Sequence, residues 1–327
     1  MLGAGSWGTA LAIQCARAGC PTRLWGRDPE LVAEIAAERI NLRYLANSPL
    51  PASLQVVPQL EQAMHGVHNV LVAIPSSGFR MQLERIKPLL HADQGLCWAT
   101  KGFEISTGML PHQVVRDVFG VKHTVAVLSG PTFAREVGAG LPTAMTIASG
   151  DENFAEALAL DMSSSHFRAY TSADIVGVEV GGAVKNVLAI GAGMSDGLGF
   201  GANARIALIT RGLIEMMRLG VALGARNETF MGLAGLGDLV LTCTDDQSRN
   251  RRFGLMLARG REVAAAQREI GQVVEGYHAA RALREVAARM HVSMPISEGI
   301  HGVLYDQRPV DQVVRGLMER PVRPEFD

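Results

Sequence analysis

Residues 3–8 read Gly-Ala-Gly-Ser-Trp-Gly and run into an apolar helical pattern. Gly3 suits a tight turn, Gly5 lets backbone approach a pyrophosphate, and Gly8 lets a helix pack closely on a strand. The helix that follows presents unpaired N–H groups to phosphate oxygens. The plainer alternative is a glycine-rich loop that only packs. About twenty residues further on, a site selecting NAD(H) places an acid against the ribose diol. Here the chain reads Leu24-Trp25-Gly26-Arg27-Asp28, so Gly26 holds that slot and Arg27 follows it. Arginine grips a 2′-phosphate with paired donors, which favours NADP(H), with NAD(H) as a second cofactor. Asp28 precedes Pro29 and reads as the N-cap of the next helix.

Five further groups could do chemistry. Lys101, in Trp98-Ala99-Thr100-Lys101-Gly102, follows a strand, where open α/β sheets bind ligands. A solvated loop lysine is the alternative. Ser129-Gly130-Pro131-Thr132-Phe133-Ala134 also follows a strand; Pro131 suits a first helical turn, and the Thr132 hydroxyl could face a polar ligand. Lys185 stands in Gly181-Gly182-Ala183-Val184-Lys185-Asn186-Val187, flanked by apolar or small residues. An ammonium on an apolar helix is costly unless paired or functional. Gly235-Leu236-Gly237-Asp238 puts a carboxylate in a glycine-rich turn, and Ser248-Arg249-Asn250-Arg251-Arg252 opens a helix with donors suited to an anion. A solvated helix end is the alternative for that last cluster.

These residues need elements to hold them. Runs at 22–25, 54–57, 69–74, 95–99, 123–128 and 143–148 read as strands. Helical patterns alternate with them at 6–18, 29–38, 59–65, 78–90, 109–118 and 151–162. Alternation of this kind predicts an α/β, doubly wound (Rossmann-like), mostly parallel sheet with helices on both faces. After about residue 173 the pattern is helical throughout: 174–194, 203–223, 251–259, 262–268, 275–290, 296–305 and 310–318. The expected division is therefore a dinucleotide-binding domain over 1–175 and an all-α substrate or catalytic domain over 176–327.

Composition sets limits. The 327 residues are 48% apolar and include 36 glycines, which suits tight turns and close backbone approach. Basic and acidic residues number 31 and 32, which argues against a nucleic-acid partner. Cys15, Cys20, Cys97 and Cys243 form no CxxC pair and no disulfide framework; we read them as reduced and mostly buried. His65 and His68 lack further ligands for zinc, so no metal is expected. No uninterrupted apolar run reaches the ~18–20 residues of a membrane span, and the start lacks a basic leader region. The reading is cytoplasmic.

Taken together, the segments at 3–12, 24–29, 98–102, 129–134, 181–205, 235–243, 247–254 and 271–277 closely resemble soluble bacterial-type NAD(P)-dependent glycerol-3-phosphate dehydrogenases. The resemblance covers nearly the whole chain. It implies reversible hydride transfer between NAD(P)H and dihydroxyacetone phosphate, giving sn-glycerol 3-phosphate for phospholipid synthesis, in a homodimer. It implies cofactor contacts from Ser6, Trp7, Arg27, Lys101, Ala134, Arg249, Val273 and Glu275, beside the glycines already named. It implies substrate contacts from Lys101, Gly130, Thr132, Lys185, Asp238, Ser248, Arg249 and Asn250, with Lys185 as proton donor and acceptor. The alternatives are another two-domain NADP-dependent dehydrogenase of the 6-phosphogluconate or ketopantoate type, or a non-catalytic NADPH sensor. The sensor would not need Lys185, Asp238 and Arg249 together. The chain departs from the family pattern at its start, where only Met1 and Leu2 precede Gly3. A central strand of ~5–6 residues belongs there, so the expectation is that the true start lies upstream and that the chain as written is weakly stable.

Overall fold

The computed structural model describes residues 1–121, 123–319 and 324. The first half runs α1 (Ser6–Arg17), β1 (Arg23–Leu24), α2 (Pro29–Glu38), then a short excursion of β2 (Ile40–Asn41), α3 (Leu42–Leu45) and β3 (Ala46–Pro49). It continues as β4 (Gln55–Val56), α4 (Leu60–Met64), β5 (Asn69–Val72), α5 (Phe79–Ile86), β6 (Gly95–Trp98) and α6 (Pro111–Phe119). Then come β7 (Val125–Ser129), α7 (Ala134–Ala139), β8 (Thr143–Ala148), α8 (Glu152–Met162) and β9 (Phe167–Ser172). The second half is helical: α9 (Ile175–Gly197), α10 (Gly201–Ala222), α11 (Asp238–Thr244), α12 (Arg249–Ala258), α13 (Val263–Ile270), α14 (Glu275–Arg289), α15 (Pro295–Tyr305) and α16 (Val310–Met318).

Strands β5 to β9 form one sheet in that order, parallel except where β8 turns antiparallel against β7. Strands β1 and β4 pair in parallel, and Leu2 bridges Trp25 on one side and Val72 on the other. The Leu2 and Ala73 N–H groups bond across to Leu71 and Leu2 carbonyls at 2.8 Å, while the Gly3 N–H reaches Trp25 O at 2.8 Å. Leu2 is thereby the join between the two strand groups, and it is buried. The wholly buried β6, Gly-Leu-Cys-Trp, is apolar because helices cover both its faces.

Strand β9, the excursion β2–α3–β3 and helix α11 differ from expectation. Strand β9 is absent from the sequence reading because an edge strand with exposed alternate positions carries little apolar signal. The excursion β2–α3–β3 was also not foreseen, since its strands are too short to carry a period. The remaining predicted elements fall within a few residues of their expected places. Asp28 caps α2 as expected, accepting from the N–H groups of Glu30 and Leu31 with Pro29 at the first helical position.

Helix α9 is the axis of the helical half. It is long and apolar enough to cross a membrane by composition, a point the uninterrupted-run criterion missed, but most of it is buried inside the protein. Its start is fixed by Asp174, which accepts from Gly177 N–H at 2.9 Å, Arg226 N–H at 2.9 Å and Thr229 Oγ1 at 2.6 Å. Glycines bring its neighbours close. A Cβ on Gly254 of α12 would overlap the Ile190 carbonyl oxygen, and one on Gly193 would overlap that of Arg251. Overpacking of this kind typically costs ~1–3 kcal/mol. Gly254→Ala should therefore lower the melting temperature clearly in differential scanning calorimetry. Gly150→Ala, whose added Cβ meets nothing within 4 Å, should leave it nearly unchanged.

Candidate active site

A cavity of about 530 Å³ opens where the carboxyl ends of the parallel strands face the helical half. Lys101 enters it from the loop after β6, Lys185 from α9 and Asp238 from the first turn of α11. Lys101 Nζ lies 2.8 Å from Asp238 Oδ2, and Lys185 Nζ bonds Asp238 Oδ1. Lys185 also reaches Thr242 Oγ1 at 3.0 Å. One carboxylate, 1% exposed, thus holds two ammonium groups.

Packing sets this geometry. The Trp98 indole N–H donates to Glu179 Oε1 at 2.9 Å, tying the strand that precedes Lys101 to the helix that carries Lys185. The Lys101 stem runs alongside Gly182 of α9, where an added Cβ would stand 3.4 Å from Lys101 Cγ and Cδ. The segment Leu233–Gly237 is a π-helical stretch leading into α11, not the glycine-rich turn expected from sequence. Gly181 permits its close approach to α9, because a Cβ there would overlap the Ala234 carbonyl oxygen. Stretches of this type often accompany functional sites.

Burial pulls the Lys185 ammonium down to about 8; the Asp238 charge resists this and the Lys101 charge adds to it. Burial alone would raise the Asp238 carboxyl, but Lys101 and Lys185 outweigh it and hold it below the usual carboxylate range.

A second cluster faces the same cavity. Ser248 caps α12, its hydroxyl accepting from Arg251 N–H at 3.2 Å. Arg249 is half-buried and donates to Gln272 Oε1 at 3.2 Å. Asn250 Nδ2 donates to Asn186 Oδ1 at 2.9 Å, and its Oδ1 accepts from Gly276 N–H at 2.9 Å. This arrangement offers cationic and neutral donors beside the two lysines.

The glycine-rich turn borders the cavity. Gly3 has φ +123°, and a Cβ on Gly8 would overlap the Gly3 carbonyl oxygen. At Gly5 nothing lies within 4 Å of where a Cβ would stand, and no side chain caps α1. Its first N–H groups thus face open space, which fits a dinucleotide pyrophosphate. Ser6 and Trp7 line the cavity, and the Trp7 indole N–H is buried with no protein partner. A side chain at 26 would press on Ala4, 2.7 Å from its Cβ, which explains glycine in the acid slot.

Most predicted residues are brought together. Ser6, Trp7, Lys101, Thr132, Ala134, Lys185, Asp238, Ser248, Arg249, Asn250 and Glu275 all line the cavity. Arg27 is exposed, Val273 is 42% exposed and Gly130 lies against Met145; none of the three lines the cavity. Pro131 does not open a helical turn; α7 starts at Ala134. Thr132 Oγ1 donates to the Gly130 carbonyl at 3.2 Å. Cys97 and Cys243 are buried, whereas Cys15 and Cys20 are only half-buried; all four are free thiols. Among the described residues no metal-binding cluster occurs. The sequence reading missed Asn186, Thr242 and Gln272. Thr242 stands four residues after Asp238 on one face of α11, a helix masked in sequence by the glycines before it.

Two family models match. One, described as NAD-dependent glycerol-3-phosphate dehydrogenase N-terminus, matches residues 1–155, and its C-terminus counterpart matches residues 174–315. The chain is 53% identical to glycerol-3-phosphate dehydrogenase [NAD(P)+] of Aeromonas hydrophila, covering 99% of this chain and 98% of that one. It is also 53% identical to the Cronobacter sakazakii protein of the same name, covering 99% and 96%. Among solved structures, glycerol-3-phosphate dehydrogenase from Coxiella burnetii superposes with a TM-score of 0.94 at 46% identity, covering 98% of each chain. A D-mandelate dehydrogenase at 15% identity and TM-score 0.64, covering 96% and 99%, shares the fold alone.

The lowered Lys185 has a direct chemical readout. Competitive acetylation followed by mass spectrometry should show Lys185 gaining reactivity with a midpoint near pH 8, well below the ~10.4 of an ordinary lysine. Asp238 favours the charged form, so Asp238→Asn should move that midpoint further down. A midpoint that rises in the variant would contradict this electrostatic account.

Proposed function

Because this chain belongs to the NAD-dependent glycerol-3-phosphate dehydrogenase family, we infer that it interconverts dihydroxyacetone phosphate and sn-glycerol 3-phosphate using NAD(P)(H). It is an oxidoreductase of the NAD(P)-dependent class. The observation that carries the reading for this chain's own residues is the Lys101–Asp238–Lys185 cluster, which shares one cavity with the open α1 N-terminus and Arg249.

The cofactor supplies the hydride when bound. Gly3, Gly5 and Gly8 form its phosphate turn, with Ser6, Trp7, Lys101, Ala134, Arg249, Val273 and Glu275 as further contacts and Arg27 at the adenosine end. For this chain we assign a preference for NADP(H) over NAD(H), supported by Gly26 and Arg27 after β1.

In the reduction, negative charge develops on the substrate C2 oxygen. The Lys185 ammonium stabilises that charge and donates its proton there. Asp238 keeps Lys185 aimed and offsets the cost of burying it, while Lys101 brings a second positive charge to the same oxygen. In the oxidation, neutral Lys185 takes the proton back. Arg249, Asn250 and Ser248 at the start of α12 hold the phosphate dianion, with Thr132 as a further contact and Gly130 behind it. Fixing the phosphate fixes the carbonyl against the lysine.

The same reading carries a cytoplasmic homodimer that supplies sn-glycerol 3-phosphate to glycerophospholipid synthesis. The free cysteines support a reducing compartment. We divide the chain at residue 175; the end of β9 at Ser172 and the start of the C-terminal family match at residue 174 support that division.

Lys185→Ala should keep NADPH binding but lose kcat by ~10²–10⁴-fold, the usual size of an acid–base effect. In the parent enzyme, oxidation should rise with pH through about 8 as Lys185 loses its proton, and reduction should fall across the same range. Near-normal turnover of the variant, measured as NADPH oxidation on adding dihydroxyacetone phosphate, would remove Lys185 from the role. Arg249→Ala should cost ~2–4 kcal/mol in kcat/KM, because a charge-assisted, partly buried contact is lost. Equal activity of parent and variant would show the cluster to be a solvated helix end.

A further inference from the structure

Two charged side chains, Asp28 and Arg43, meet beyond the carboxyl end of β1, and the exposed Arg27 precedes one of them in the chain. Gly26 packs against Ala4 of the glycine-rich turn, so the Arg27 and Asp28 that follow leave the strand beside that turn. Arg43 reaches the same place from α3. Its segment is pinned there by buried Asn41, whose Nδ2 donates to Ala4 O at 2.9 Å and to Thr9 Oγ1 at 2.8 Å. The Asn41 Oδ1 accepts from Tyr44 N–H at 3.2 Å, and Tyr44 lines the cavity. The Arg43 guanidinium lies 5.2 Å over the Tyr44 ring.

Asp28 divides its two oxygens. Oδ1 accepts from the N–H groups that open α2, while Oδ2 faces Arg43 Nη1 at 3.5 Å. A carboxylate at this position has a chemical consequence. Left alone, Oδ2 would accept from a ribose 2′-hydroxyl and repel a 2′-phosphate. Opposed by Arg43, its charge is cancelled, and the adjacent Arg27 remains as a net positive group.

We propose that Arg43 determines cofactor selection: it cancels Asp28 and so admits a 2′-phosphorylated dinucleotide. This rests on the dinucleotide reading of the glycine-rich turn. Arg27 cannot perform that task by itself, because with Asp28 uncancelled the two adjacent charges sum to zero. The guanidinium is 60% exposed, so replacing it leaves no buried vacancy. Asparagine caps helices about as well as aspartate, so the Asp28 charge can be removed while the cap is kept.

The test is binding, not turnover. Dissociation constants for NADPH and for NADH are measured by nucleotide fluorescence, with no carbonyl substrate present. The parent should prefer NADPH. Arg43→Gln should weaken NADPH by roughly tenfold, the size of one charge-assisted phosphate interaction, and change NADH less than twofold. Arg43→Lys, which keeps the charge, should retain most of the preference. Adding Asp28→Asn to Arg43→Gln should recover much of the lost NADPH affinity. Equal weakening of both nucleotides, no effect on either, no preference in the parent, or no recovery in the double variant would each overturn the proposal. A melting curve on each variant confirms that folded protein was compared. Failure of the dehydrogenase reading would look different: the parent would bind NADPH selectively yet not oxidise it with dihydroxyacetone phosphate.

Discussion

Two ammonium groups and one carboxylate are gathered inside the protein at the junction of sheet and helices. Either lysine buried alone would shed its proton or stay in water. Asp238 makes their company possible, and each lysine in turn keeps Asp238 ionised. The balance is not complete, since two positive charges face one negative. Burial, with a smaller push from the Lys101 charge and against the pull of Asp238, brings Lys185 down to about 8, where it can both give and take a proton. An oxygen that becomes negative during reaction would find a matching positive field already in place.

The helical packing follows from the same need. Lys185 must be held while its helix is surrounded, so α9 is approached closely by α11, α12 and α14. Glycines at the crossing points remove the side chains that would hold these helices apart. The π-helical stretch runs directly into α11, whose first residue is Asp238. The Trp98–Glu179 hydrogen bond fixes the sheet against that helix, so the lysine from β6 and the lysine from α9 share one carboxylate. The rim beside the glycine-rich turn is built on the same plan, with Asn41 buttoning α3 onto that turn.

Much of this was legible in the chain itself. The glycine spacing at 3–8, the cap at Asp28 and the ammonium on an apolar helix at Lys185 are local signals, written within a few residues. The strand–helix alternation followed by helices alone announced the α/β half and the helical half. Strand β9 was not legible, because its residues alternate between partial burial and solvent at an edge. Helix α11 was hidden by the glycines before it, which read as a turn.

What only the tertiary structure decided is who meets whom. Lys101 and Lys185 stand 137 and 53 residues from Asp238, and no periodicity in the sequence ties them to it. Asn186 and Asn250, 64 residues apart, likewise find each other only once α12 is seated on α9. Sequence fixes local conformation because turns, caps and helix faces depend on neighbours three or four places away. The pairing of distant charges depends instead on which helices pack and how closely, and so does the proton affinity of Lys185, because burial and its two charged neighbours act only across space.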